Sequence, residues 1–192
     1  MLTSIFALEL CIRLLPGSEL RGVLQQLLLT HPERAGHQHR HLLYRQMTDA
    51  LLHHLNLAER GCWDYFNDHS RAQEDFKMWR DGMLTEEGVR QGPSGPPDPY
   101  RPEPRYMTFT MAMLLVQNSP ADMAMRQLCN IPEQMLWNRS SFARILQGMR
   151  IVSFASVKSD VLYLIPGDDA WGLTLQDLSE PKFEYLRPIV NA

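Results

Sequence analysis

The sequence predicts an α+β chain: a helical N-terminal half combined with a small, mostly antiparallel sheet covered by helices. Three observations carry this. Apolar side chains recur at every second residue near the start and again in the middle of the chain, apolar stripes at helical spacing fill much of residues 20–83, and the stretch 91–104 between the two patterns holds six of the thirteen prolines. Proline locks φ, removes a backbone donor and biases its predecessor toward extended conformations, so neither a helix nor a central strand can run through that stretch. The chain therefore divides into a strand and three-helix region over 1–90, an extended connector over 91–105, and an α+β region over 106–192 that shares a sheet with the N-terminal strand. Strands are placed near 4–15, 106–116, 151–157 and 161–165.

Phe6, Leu8, Leu10, Ile12 and Leu14 alternate with Ala7, Glu9, Cys11 and Arg13, the pattern of a strand with one buried face. Pro16-Gly17 ends it. Ser18 then caps a helix whose Leu20, Val23, Leu24, Leu27 and Leu28 share a face and which His31-Pro32 stops. A second helix is expected from about Gln38 to Arg60 on a stripe of Leu43, Met47, Leu51 and Leu55, with Gly61 just past its end. A third, starting at Asp64 or Asp68, carries Ala72, Phe76, Trp79 and Met83, with Gly82 as a breaker before a turn capped by Thr85.

After the connector, Met107, Phe109, Met111, Met113 and Leu115 line one face of a strand whose other face passes from Thr108 and Thr110 to Ala112, Leu114 and Val116. That composition predicts a central strand, half exposed at its start and buried on both faces at its end. Ser119-Pro120-Ala121-Asp122 supplies a cap, a proline at the first helical position and an acid in the first turn. Pro132–Trp137 reads as a turn, Ser140 as the cap of a helix bearing Phe142, Ile145, Leu146 and Met149, and Lys158-Ser159-Asp160 as the turn of a hairpin. Pro166-Gly167-Asp168-Asp169 is a loop, Thr174 and Asp177 repeat the capping pattern, and Pro188 ends a last short helix.

Function is approached by exclusion. Basic and acidic residues number 10 and 12 over residues 1–90, and 9 and 10 over 91–192, so neither half has the cationic excess that phosphate neutralisation needs, and no nucleic acid partner is expected. Glu9 and Arg13 interrupt the apolar start and no later run is long enough to span a bilayer, so no transmembrane segment is expected. Cys11, Cys62 and Cys129 are odd in number and widely spaced, which suits reduced thiols and a cytoplasmic location. No glycine-rich nucleotide loop or nucleophile elbow is present, so no cofactor and no catalytic residue is assigned, and the chain leans away from being an enzyme.

Two candidate sites remain. His37, His39 and His41 form the densest histidine cluster, and His37 and His41 stand one helical turn apart, a spacing that can chelate a divalent metal. An exposed polar helix start explains them more simply, and the arginines nearby oppose a cation. The second candidate is aromatic: Trp63, Phe66, Trp79 and Arg80 lie in a stretch rich in the residue types that anchor protein interfaces, although Phe76 and Trp79 also continue a packing stripe. The adjacent Asp168 and Asp169 are better explained as turn residues than as metal ligands.

The C-terminal half resembles a cyanobacterial and chloroplast family that includes the plant fluctuating-light acclimation protein. The resemblance rests on Arg105-Tyr106-Met107-Thr108-Phe109-Thr110, Phe142-Ala143-Arg144-Ile145-Leu146, Val161-Leu162-Tyr163-Leu164-Ile165-Pro166, and Leu173-Thr174-Leu175-Gln176-Asp177-Leu178 leading to Tyr185-Leu186-Arg187-Pro188. Leu164-Ile165 stands where the family typically has Trp-Thr. The resemblance carries no catalytic residues and implies at most a regulatory or scaffolding role. The leading expectation is thus a non-enzymatic cytoplasmic protein that acts through a protein partner or as a homo-oligomer, and the competing one is a metal- or small-molecule-binding protein built on the His37/His39/His41 region.

Overall fold

A computed structural model describes residues 1–30, 36–84, 103–167 and 172–191. The expected His31-Pro32 helix stop, the Thr85 cap, nearly all of the 91–105 connector and the Asp168-Asp169 turn lie outside the described residues. The chain is α+β, as its patterning predicts: strands β1 (Thr3–Leu14), β2 (Ala58–Phe66), β3 (Arg105–Val116), β4 (Val157–Ile165) and β5 (Arg187–Pro188) form one antiparallel sheet in the order β4-β3-β1-β2-β5. The helices among the described residues are α1 (Leu20–Leu29), α2 (His37–His53), α3 (His69–Leu84), α4 (Pro120–Leu128) and α5 (Arg139–Met149). None of them is long and apolar enough to cross a membrane.

The first strand sits at the centre of this sheet, between β3 and β2, and is buried on both faces from Thr3 to Ile12 rather than on one. Phe6, Leu8, Leu10 and Ile12 join Met107, Phe109, Met111 and Met113 of β3 in the main core, which α1, α2, α4 and α5 cover. The opposite face is the one expected to be solvated. There Ile5, Ala7, Ala112 and Val161 pack against Ala72 and Phe76 of α3, and Cys11 packs with Leu173, Leu178, Phe183 and Leu186 of the C-terminal segment. β3 is buried on both faces along nearly its whole length for the same reason, so its start is not half exposed.

Several local expectations are corrected. The second helix stops at His53, and residues 58–66 form β2. Gly61 is a strand residue at a close approach, where a Cβ would lie 2.9 Å from both the Glu9 carbonyl oxygen and Phe142 Cε1. No hairpin occupies 151–165: Val152 and Phe154 are buried in a turn, and Lys158-Ser159-Asp160 continues β4. The polar triplet is not a turn because Asp160 points inward, where Arg40 (3.0 Å) and the Tyr44 hydroxyl (3.0 Å) of α2 hold its carboxylate. Gly82 does not break α3, and Pro188 belongs to a short strand, not a helix end. Ser18 and Ser140 are not N-caps either; Glu19 and Asn138 occupy those positions and make no side-chain cap bond.

The best-defined cap is the one predicted from three adjacent signals. Ser119 Oγ accepts the Asp122 N–H at 3.3 Å and Pro120 opens α4. Thr174 and Asp177 likewise cap each other reciprocally, each backbone N–H donating to the other's side chain.

Candidate functional site

β2 is the strand around which surface features gather. Its inner edge pairs with β1 from Ala58 to Phe66, but on its outer side β5 meets only Arg60 and Gly61. Beyond that point, two clefts open on either side of the strand. One, of about 640 Å³, lies over the α3 face, and the other, of about 730 Å³, lies toward α4; Trp63 and Asp64 line both.

The α3 cleft brings together three of the four residues expected to anchor a partner. Phe66 carries the Arg71 guanidinium over its ring at 3.6 Å, Trp79 meets Tyr185 edge to face at 6.0 Å between centroids, and the Trp63 indole N–H donates to the Leu136 carbonyl at 2.9 Å. These residues line the cleft with Arg71 and Arg187. Arg80 is not among its lining residues; it pairs with the adjacent Asp81 at 3.1 Å. One helical turn separates Asp75 from both Arg71 and Trp79, which is why these side chains share one face of α3. The convergence itself is tertiary, because Tyr185 and Arg187 reach the cleft from the far end of the chain.

Beneath this cleft lies an acid with no cation in contact among the described residues. Glu9 is 1% exposed at the centre of β1, opposite Cys62 on one side and Thr110 on the other. The Tyr185 hydroxyl donates to Glu9 Oε2 at 2.8 Å, while Oε1 has no hydrogen-bond partner. Burial drives the Glu9 carboxyl above its ordinary range, and the hydroxyls of Tyr185, Thr108 and Thr110 offset this only in part. The two threonine hydroxyls are near enough to favour the anion but not aligned as full hydrogen bonds. Tyr185 is 42% exposed, yet its hydroxyl end is turned inward onto Glu9, and burial together with the Glu9 carboxylate pushes its own ionisation upward.

The α4 cleft rests on a second buried acid, Asp122, which is fully buried and well supplied with donors. It accepts from the Ser4 hydroxyl, the Tyr65 hydroxyl (2.6 Å), the Asn118 N–H (2.7 Å) and Arg126 (3.3 Å). This carboxylate ties β1, β2 and α4 together and fixes the inner wall of the cleft, in which Tyr65, Met123 and Arg126 stand.

The histidine candidates are placed elsewhere. His37 and His39 are exposed at the start of α2, and His41, one turn on from His37, has Nδ1 3.3 Å from the Val152 carbonyl and its ring edge-on to Phe154. Among the described residues no group of three or more His, Cys, Asp or Glu side chains is arranged to hold a metal ion. Burial raises the thiols of Cys11 and Cys62 well above the ordinary range, and that of Cys129 to about 12, so all three are protonated at neutral pH and poor nucleophiles.

Sequence reasoning missed Glu9, Asp64, Asp122 and Tyr185 as members of these sites. Glu9, an acid inside the apolar run of β1, carried a signal; Tyr185 had no local signal at all. No family model matches the chain, and no curated protein or solved structure matches it either.

Proposed function

We propose that this chain is a non-enzymatic protein-interaction or scaffolding module whose docking surface is the aromatic α3 cleft beside β2. The observation that supports the reading is the convergence of Trp63, Phe66 and Trp79, together with arginine, on one concave surface of about 640 Å³. Buried aromatic and arginine side chains are the usual anchors of interfaces, and a handful of them carries most of the binding free energy. The Cys62 thiol lining the site is held in its unreactive form, and Glu9, a buried acid with no cation in contact among the described residues, is engaged by Tyr185, a structural use of both. A regulatory or scaffolding role is also what the resemblance to the cyanobacterial and chloroplast family implies. We place the protein in the cytoplasm on the strength of its free cysteines.

The test is comparative capture from native lysate with the full chain, its Trp79→Ala variant and, as a surface control on the opposite face of the sheet, Arg150→Ala. Trp79→Ala is expected to lower recovery of the bound protein about thirtyfold, the loss that a 2 kcal/mol anchor implies. Arg150→Ala should leave it unchanged. Recovery that is equal with all three proteins, or nothing above the bead background with any, would end this reading.

A further inference from the structure

Resting on that reading, we propose that the outer edge of β2 at Trp63–Tyr65 takes an extended segment of a partner protein as an added strand. The row of outward backbone groups is fixed at one end, where Ile189 N–H donates to the Glu59 carbonyl at 2.9 Å and Arg187 pairs with Gly61. A strand repeats every two residues, so the row continues through Trp63 and Tyr65. Among the described residues no strand lies beyond those two. β5 already extends β2 in the same manner and stops after two residues, which leaves a ladder begun and unfinished.

The edge is guarded in the way exposed edges are. The Tyr65 N–H donates to Asp64 Oδ1 at 2.8 Å, a side chain standing in for a backbone acceptor. An incoming strand displaces this carboxylate and supplies a carbonyl in its place. Its side chains then alternate between the α3 cleft and the α4 cleft, both of which border Trp63 and Asp64 and are large enough to hold them. This two-sided arrangement distinguishes a strand-binding groove from a simple apolar dent.

Charge at Asp64 favours a foreign occupant over a second copy in the register centred on that residue. In the self-pairing that matches Trp63 with Tyr65 of a second copy, Asp64 falls opposite Asp64, and like charges directly across a sheet are destabilising. A foreign segment with Lys or Arg facing Asp64 has no such conflict and gives the displaced carboxylate a partner. The segment is therefore an extended one with apolar residues at alternate positions and a basic residue on the α3 side.

The experiment pans a phage-displayed library of random twelve-residue peptides on the immobilised full chain, then studies the best binder with isotope-labelled protein. Enriched peptides should show period-two apolar patterning with Lys or Arg, and binding should slow amide exchange at Trp63 and Tyr65. N-methylation at alternate backbone positions of the peptide should cut affinity about tenfold per site for one set of positions and leave the other set unaffected. Because this alters only the peptide, folding of the protein is not at issue. A library without enriched binders, or a binder insensitive to methylation with Trp63 and Tyr65 exchanging as before, overturns strand addition, while the Trp79→Ala capture result independently decides the broader reading. Protection of the same two amides without peptide, accompanied by dimerisation in sedimentation, makes a second copy the occupant and overturns the assignment to a foreign segment.

Discussion

A carboxyl group buried at the centre of a sheet is tolerated only if it is paired, hydrogen-bonded or uncharged, and the two buried acids beside β2 take different routes. Asp122 is satisfied by a guanidinium and three further donors, whereas Glu9 has one tyrosine hydroxyl and an unpartnered oxygen. Its raised pKa means that the native state keeps a proton which the unfolded chain loses above about pH 4.3. Native protein thus binds more protons than unfolded protein, so this group's contribution is fully present below that pH and is lost as pH rises through the folded-state value. Glu9→Gln keeps the shape and stays neutral in both states, which removes the linkage. The expected outcome is that urea midpoints of wild type and Glu9→Gln agree near pH 4 and diverge as pH rises to 8, with wild type falling further. Parallel curves across that range would mean that Glu9 ionises normally in the folded protein.

Among the elements, β2 concentrates what was hardest to read. Its sequence, Ala-Glu-Arg-Gly-Cys-Trp-Asp-Tyr-Phe, lacks the clean alternation of β1 and β3 because one edge is largely uncovered and its faces are only partly buried. Gly61 looks like a helix terminator in isolation, while in the fold it permits contact with the Glu9 backbone and the Phe142 ring. Gly61→Ala should therefore destabilise by about 1–3 kcal/mol, the cost of overpacking, since the Glu9 carbonyl belongs to a central strand that cannot give way. Chemical denaturation of the variant measures this directly, and a change below about 0.5 kcal/mol, the ordinary scatter of surface substitutions, would show that the approach relaxes. The legible elements were those whose cause is local. Alternation marked β1 and β3, and Ser119, Pro120 and Asp122 marked the start of α4. The false hairpin at 151–165 arose from the opposite situation: Lys158-Ser159-Asp160 is polar because Asp160 meets Arg40 and Tyr44, partners more than 100 residues away in sequence.

At the scale of the whole molecule, the sheet order explains why the candidate site could be suspected but not assembled from sequence. Aromatic density picked out Trp63, Phe66 and Trp79, but their convergence requires β1 at the centre, β2 beside it, and Tyr185 brought from the far end of the chain onto Glu9. The same order ties the two halves of the sequence together, because β1 pairs with β3 along twelve residues while β2 joins β5 at Arg60 and Pro188. Cutting the chain at residue 90 separates β1 and β2 from β3, β4 and β5, and leaves the apolar faces of both central strands without their neighbours. A sheet that loses its central partner exposes a long unpaired edge together with its core face, which a fragment of this size cannot bury by itself. Fragments 1–90 and 91–192 are therefore expected to be poorly folded alone and to recover native-like far-UV circular dichroism and dispersed amide resonances when co-refolded. Two fragments that each fold alone, and that fail to associate on mixing, would contradict a sheet held together chiefly by the β1–β3 ladder.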